Sequence, residues 1–350
     1  MEAFEGCCAK VMSLLTGWIG LIGRFIFAIF GAVFLALGIA LYPVGCLIPS
    51  WVGNFAFQCA FKIGYQLYVF TPLGRMIHMQ MINSRRKGHS QPHTINITAT
   101  SLSTCDVIPV PILADNYGYM IIDRATKQAA VVDPADPRLM EQMLERRKVQ
   151  LTTILTTHRH HDHAGGNLEL KKKFPGVVVV GGKGDNVAGV TKEVSDGDRL
   201  SIGETLVQIV ETPCHTTGHV VFVVCGRGGA GVSEVAEGVF SGDTLFIGGV
   251  GAFFHGSEID MHKSINQNLS WVPDSALVFC GHEYTVENCR FAEWLEPGNP
   301  LVLARSSWAV KRRAMKSGAS VAVNGRKRDA REVRAGPPVD RACPLHLGQS

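Results

Sequence analysis

The chain has 350 residues, with 34 Lys and Arg against 30 acidic residues, a formal charge of +4, and ten cysteines. That length supports one large domain or two, each with a sizeable core. Cysteines with no CxxC pair and no regular spacing exclude a small disulfide scaffold and suit a reducing compartment.

Charge and hydropathy divide the chain. Residues 301–350 hold 11 Lys and Arg against 3 acids, which leaves 23 against 27 in the first 300. A mildly acidic body therefore precedes a basic stretch, and residues 317–350 read as a solvated, disordered tail. No motif for nucleic acid accompanies that basic charge, and nucleic acid is not an expected partner. At the other end, Phe25 to Tyr42 is an uncharged apolar run that continues past Pro43 to Ile48. About 20 such residues cross a bilayer. Tyr42 and Trp51 stand where interfacial aromatics belong, and Arg24 marks the other edge. The expectation is an N-terminal segment, 1–60, holding a single transmembrane helix at about 25–48 with membrane lipid as its partner. Basic residues are more numerous after the span (Lys62, Arg75, Arg85, Arg86, Lys87) than before it (Lys10, Arg24), which places the body on the cytoplasmic side. Residues 61–103 then read as an amphipathic segment, with Phe61, Tyr65, Leu67, Tyr68 and Phe70, followed by a polar linker around Arg85 to His93.

From residue 104 the pattern is that of mixed sheets covered by helices. Val107 to Leu113 is predicted as an edge strand because it carries Pro109 and Pro111. Asp115 to Gly118 reads as a turn, and Tyr119–Asp123 with Ala129–Asp133 as a hairpin. Pro137 to Arg147 has helical spacing, with Leu139, Met143 and Leu144 on one side. Leu151 to Thr156 is a short apolar run, hence a buried strand. A helix is predicted over Gly166 to Phe174 and a strand over Val177 to Val180. Turn residues follow between Val194 and Leu206. Val207–Glu211, Val220–Cys225, Val239–Ser241 and Ala276–Cys280 read as strands, with a flexible loop over Gly226 to Gly231. Ile259–Leu269 and Glu283–Leu295 read as helices.

The chemistry is concentrated after the strand Leu151–Thr156, in Thr157-His158-Arg159-His160-His161-Asp162-His163-Ala164-Gly165-Gly166. From an extended segment His158 and His160 project the same way. Asp162 and His163 face a second direction as the chain turns into a helix. Imidazole and carboxylate at this density suit borderline divalent metals such as zinc and iron. Two facing directions suggest two adjacent ions. Three further loops, each just past a strand, add candidate ligands: Thr212-Pro213-Cys214-His215-Thr216-Thr217-Gly218-His219, Ser241-Gly242-Asp243-Thr244-Leu245-Phe246 and Cys280-Gly281-His282-Glu283-Tyr284.

The order THxHxDH, PxH, GD, GH resembles the metallo-β-lactamase superfamily. Within it, TPCHTTGH, SGDTLF and GHEYT resemble hydroxyacylglutathione hydrolase, the glyoxalase II family, with FKIGYQLY, RKGHS, IPVPILADNYGYMIID and VVDPADPR matching a membrane-associated branch. The likeness runs from about Phe61 to about Pro300. It implies an αβ/βα sandwich, a catalytic domain over 104–285, and a dinuclear site at one edge of two sheets. By motif, His158, His160 and His215 hold one metal, Asp162, His163 and His282 the other, and Asp243 bridges them. Zinc is the first expectation, with iron or manganese as alternatives. Asp133 matches a position that orients a ligating histidine, and His219 a structural histidine behind the ligands. Cys214 is a bystander and His161 fills a variable slot.

Two such ions would make hydroxide available near neutral pH and polarise an acyl carbonyl, with Asp162 and Asp243 as the catalytic carboxylates. A thioester suits the site because its thiolate leaves readily. S-lactoylglutathione, cleaved to glutathione and D-lactate, is the substrate the resemblance implies. Tyr284 and Phe254 fall at substrate-contacting positions, but Ala252 stands where the family has a basic residue. Residues 286–316 read as the remnant of a C-terminal helical domain whose usual ending is missing. Two other readings remain open from sequence: an iron-dependent persulfide dioxygenase, and a non-enzymatic, membrane-tethered partner protein that keeps the metal-stabilised fold.

Overall fold

The computed structural model describes residues 98–227 and 234–316, isolated positions between 64 and 80, and two short stretches near 322–327. The expected membrane span over 25–48 lies outside the described residues, as does most of the loop over 226–231. No helix among the described residues is long and apolar enough to cross a membrane.

Seven strands form the first sheet in chain order: β1 (Thr100–Ser101), β2 (Cys105–Ile112), β3 (Asn116–Asp123), β4 (Gln128–Val132), β5 (Gln150–Thr156), β6 (Val178–Gly182) and β7 (Lys192–Val194). The first four pair antiparallel and β4 to β7 pair parallel. The second sheet has the order β14-β11-β10-β9-β8, from β8 (Arg199–Ile202), β9 (Thr205–Glu211), β10 (Val220–Arg227), β11 (Glu234–Gly242) and β14 (Leu277–Cys280). A small hairpin, β12 (Leu245–Phe246) with β13 (Gly249–Val250), lies between β11 and β14 in the chain. The helices are α1 (Pro137–Arg147), α2 (His161–Ala164), α3 (Asn167–Lys173), α4 (Glu258–Lys263), α5 (Thr285–Leu295) and α6 (Pro300–Lys316).

The period-2 alternation of side chains sorts these strands into layers. In β3, Tyr119 and Ile121 enter the core that also holds Phe222 and Phe240 from the other sheet. Met120 and Ile122 face the opposite way, into a cluster with Met140 and Leu144 of α1 and Leu170 of α3. In β10, Val220, Phe222 and Val224 face the first sheet, while Val221, Val223 and Cys225 face Leu269 and Val272. Both faces of both sheets are thus covered, which gives the expected αβ/βα sandwich. The strands β3, β4 and β10 are near-continuous apolar runs because neither of their faces meets water.

Local sequence sets the ends of the elements. Asp136 Oδ1 accepts the Leu139 N–H at 3.1 Å, with Pro137 as first helical residue, so α1 starts there. Ser257 and Asp260 form a reciprocal capping box on α4. The helix expected over Ile259–Leu269 breaks into α4 and a π-helical turn at Ser264–Asn268. The prolines of β2 behave as predicted. Leu102 N donates to Cys105 O, so the odd-numbered positions of β2 face β1, which pairs with only Asp106 and Val107. Pro109 and Pro111 therefore turn their missing donors to an unpaired edge. The turn-rich stretch before Leu206 does hold regular structure: β8 pairs with β9, and β7 with β6.

Candidate metal centre

The strands β4, β5, β9, β11 and β14 end along one edge of the sandwich, and each ending loop delivers a predicted residue: Asp133, His158, His215, Asp243 and His282. Backbone bonds fasten the loops to one another. Val220 N donates to Thr157 O at 3.0 Å, Gly281 N to Gly242 O at 2.9 Å, and Tyr117 N to Gly281 O at 2.8 Å.

All seven expected ligands converge, and His158, His160, His163, His215, Asp243 and His282 are buried. Their donor atoms fall into three overlapping groups within 4.8 Å: His158, His160 and His215; His158, His163 and Asp243; Asp162, His163 and His282. In the first group, His158 Nε2 and His160 Nδ1 are 2.9 Å apart, and His160 Nδ1 and His215 Nε2 are 3.1 Å apart. In the last, His163 Nε2 and His282 Nε2 are 3.3 Å apart. Asp243 stands between them. Its Oδ2 is 3.4 Å from both His215 Nε2 and His282 Nε2, and its Oδ1 is 3.3 Å from His163 Nε2.

The outer ring nitrogens decide which atoms point inward. His163 Nδ1 lies 2.9 Å from Asp133 Oδ2, His215 Nδ1 2.9 Å from Ala252 O, and His282 Nδ1 3.0 Å from Asp115 Oδ1. Each acceptor requires the proton on Nδ1, which leaves the Nε2 lone pair facing the centre. His158 is fixed at one remove. The Thr157 hydroxyl donates to Asp133 Oδ2 at 2.8 Å, so its oxygen accepts from His158 Nδ1 at 3.0 Å. Asp133 also accepts the Thr157 N–H at 2.8 Å and holds φ +47°, a conformation Asp tolerates better than most residues. It thus contacts His163 directly and His158 through Thr157. Asp133→Asn is expected to weaken metal affinity by about 10–100-fold, because the amide places a donor where His163 needs an acceptor. Competition with a chelating dye would measure it.

Electrostatics differ across the centre. Burial, with His215 beside it, lowers His160 to about 3, and burial holds His158 well below the ordinary imidazole value. These rings are neutral donors at pH 7. On the other side burial is overruled by charge: Asp243, Asp162 and Asp133 raise His163 to about 10. His282 is also raised, against burial, by Asp243, Asp115 and Asp162. This half of the site recruits positive charge.

The donor set fits divalent metal. Asp243 Oδ1 is buried and accepts no well-aligned hydrogen bond, and imidazole lone pairs face each other at hydrogen-bond distance, an arrangement that a shared cation satisfies.

His219 lies beside the centre and joins none of the three donor groups. Its ring stacks on His158 at 4.9 Å, and its Nε2 accepts the Asp243 N–H at 3.2 Å. Phe254 lies against His215 and His160, at 5.1 and 5.9 Å between ring centroids. Tyr284 stacks on His282 at 4.9 Å, and burial raises its phenol to about 12. Cys214 joins no ligand group; its thiol donates to Ser257 O at 3.3 Å.

Two contributors were not foreseen. Asp115 and Asn116, read as turn residues, carry the acceptor for His282 and a donor to Asp162: Asn116 Nδ2 reaches Asp162 Oδ2 at 3.1 Å. Arg159, inside the motif, turns away from the ligands. Its N–H donates to Asp185 Oδ2 at 2.7 Å and its guanidinium pairs with Asp185 Oδ1 at 3.2 Å, both nearly fully buried, which fastens the loop.

This sandwich, with its ligands gathered at one edge, defines a metallo-β-lactamase-type protein, and the profile of the metallo-β-lactamase superfamily matches residues 117–282. The cytoplasmic hydroxyacylglutathione hydrolase of Arabidopsis thaliana is 42% identical over 208 residues, which are 59% of this chain and 79% of that protein. The chain belongs to the hydroxyacylglutathione hydrolase, or glyoxalase II, family. Among solved structures, ETHE1 from Myxococcus xanthus is 27% identical, with 54% of this chain and 76% of that one covered at a TM-score of 0.42. A metallo-β-lactamase from Staphylococcus aureus is 23% identical, with 55% and 68% covered at a TM-score of 0.42.

Proposed function

We propose that the protein is a metal-dependent hydrolase of glutathione thioesters, with S-lactoylglutathione as the reference substrate. The observation that carries this reading is Asp243, a buried carboxylate set between two histidine groups in a chain 42% identical to a hydroxyacylglutathione hydrolase. His158, His160 and His215 would hold one ion, and Asp162, His163 and His282 the other, with Asp243 shared. Zinc is the metal we favour, because imidazoles and carboxylates with no thiolate are ordinary zinc ligands. When bound, the two ions acidify water and polarise the acyl carbonyl.

The chain's own residues supply orientation. Of the two carboxylates grouped with the histidines at the centre, Asp162 is the more exposed, with 26% side-chain exposure against 9% for Asp243. Held by Asn116, it accepts a hydrogen bond from the attacking water. The water oxygen adds to the thioester carbon, its two protons pass by way of Asp162 to solvent, and collapse of the adduct breaks the C–S bond. The electron pair leaves with sulfur as glutathione thiolate, and the acyl group leaves as D-lactate. A thiolate needs little protonation to depart, so no separate acid is required. Phe254 and Tyr284 would flank the acyl and glutathione groups. The test is hydrolysis of S-lactoylglutathione by the full-length chain loaded with zinc or iron, beside Asp162→Ala. Turnover that is lost in the variant supports the reading, and no turnover with metal bound refutes it.

Recognition of glutathione is the weak point of this chain. Ala252 is exposed, its carbonyl is committed to His215, and no basic side chain stands at its position. Ala252→Lys is expected to lower KM for glutathione thioesters by about tenfold, the worth of one charge-assisted hydrogen bond. An unchanged KM would place the glutathione elsewhere.

We also propose that the apolar run over 25–48 anchors the chain in a membrane with the body on the cytoplasmic side. Deleting residues 1–60 should move the protein from the membrane pellet to the supernatant. Persistent sedimentation with membranes would assign binding to residues 61–82 or to the basic tail.

A further inference from the structure

A residue upstream of the sandwich is built into the back of the metal centre. Residues 73–78 are helical, with the Thr71 hydroxyl accepting the Gly74 N–H at 3.2 Å at the start of the turn. Gly74 and His78, one turn apart, are its buried positions, and Leu73 and Met76 are exposed. His78 is fully buried. Its Nε2 lies 3.4 Å from Ala135 O, and its ring faces His161 at 6.1 Å between centroids. A Cβ on Gly165 would come within 2.5 Å of His78 Nε2, so the ring fills the space that this glycine leaves open.

These contacts fall on two loops. One runs from β4 to α1 and carries Asp133, two residues before Ala135. The other runs from β5 into α2 and carries Asp162 and His163. The same loops approach closely beside His78, because a Cβ on Gly166 would overlap Pro134 O. Asp133 and His163 are the pair whose 2.9 Å contact sets the orientation of one inward lone pair. We propose that His78 is a positioning residue of the metal centre: its ring locks the Asp133 loop to the Asp162–His163 loop from behind.

On this view every ligand lies within 158–282, yet the centre is completed by a helical turn outside the superfamily match at 117–282. The contacts His78 makes to Ala135, His161 and Gly165 fall on neighbours of the ligands. His78 acts by keeping Asp133 in register with His163. The inference rests on the metal reading above, and the test separates the two.

The full-length protein is loaded with zinc, and release to a chromogenic chelator is timed for wild type, His78→Ala and His78→Gln. His78→Ala should release zinc about tenfold faster, the low end of the range for groups that hold a ligand in place, with KM for S-lactoylglutathione unchanged. His78→Gln should recover most of the wild-type rate, because its amide can again donate to Ala135 O. Zinc release from His78→Ala at the wild-type rate would overturn the inference. So would a His78→Gln protein that releases zinc as fast as His78→Ala, since the ring would then serve packing alone. A wild-type protein that binds no zinc would remove the metal reading itself.

Discussion

Asp243→Ala should disable both halves of the metal centre at once. Among the described residues, Asp243 is the carboxylate whose oxygens approach His215, His163 and His282 together. Its removal takes away the negative charge, with Asp162 and Asp133, that counters burial at His163. A divalent ion contributes several kcal/mol to stabilising charge in an acyl-transfer transition state. Loss of about 4 kcal/mol corresponds to a fall of about a thousandfold in kcat/KM. Elemental analysis should show fewer than two ions per chain, with hydrolysis reduced in parallel. Full metal content in Asp243→Ala would refute the shared-ligand assignment.

The second large effect is expected at Gly242, which immediately precedes that carboxylate. Its φ of +49° lies in the left-handed region, and an added Cβ would sit 2.5 Å from Thr157 Oγ1 and 2.9 Å from His219 Nε2. Alanine there pays about 1–2 kcal/mol for the conformation and about 1–3 kcal/mol for overpacking. A loss near 3 kcal/mol would lower Tm by about 10 °C in a domain of this size. The clash also falls on the Thr157 hydroxyl that joins Asp133 to His158, so metal content should drop even in the fraction that folds. Unchanged Tm and metal content in Gly242→Ala would show that the loop relaxes without cost.

How far the sequence carries depends on the kind of signal. His158, His160, Asp162, His163, His215, Asp243 and His282 are legible because charged and imidazole side chains rarely cluster just past apolar strands. The hairpin β3–β4 is legible in the runs Tyr119–Asp123 and Ala129–Asp133, and the helix α1 in Leu139, Met143 and Leu144 at helical spacing. By contrast β7 is three residues long, and it exists because Val180, Gly181 and Gly182 of β6 lie beside Lys192, Glu193 and Val194. Nothing local to the chain at 192–194 signals that pairing. Asp115 and Asn116 are illegible for the same reason. Their contacts to His282 span 167 and 166 residues and arise only when the β2–β3 turn meets the end of β14. His78 stands in a stretch read as amphipathic, where a lone histidine has no ligand spacing around it. The ligands are thus a property of the motifs, whereas the groups that aim them belong to the tertiary fold.

The proposed chemistry depends on two ions sharing Asp243. The most direct test is the number of divalent ions per chain in the purified full-length protein, measured by mass spectrometry of the metals after dialysis against metal-free buffer. Two ions are expected, with S-lactoylglutathione hydrolysis rising in proportion to occupancy as metal is restored. One ion per chain with full activity, or activity that survives complete chelation, would contradict it.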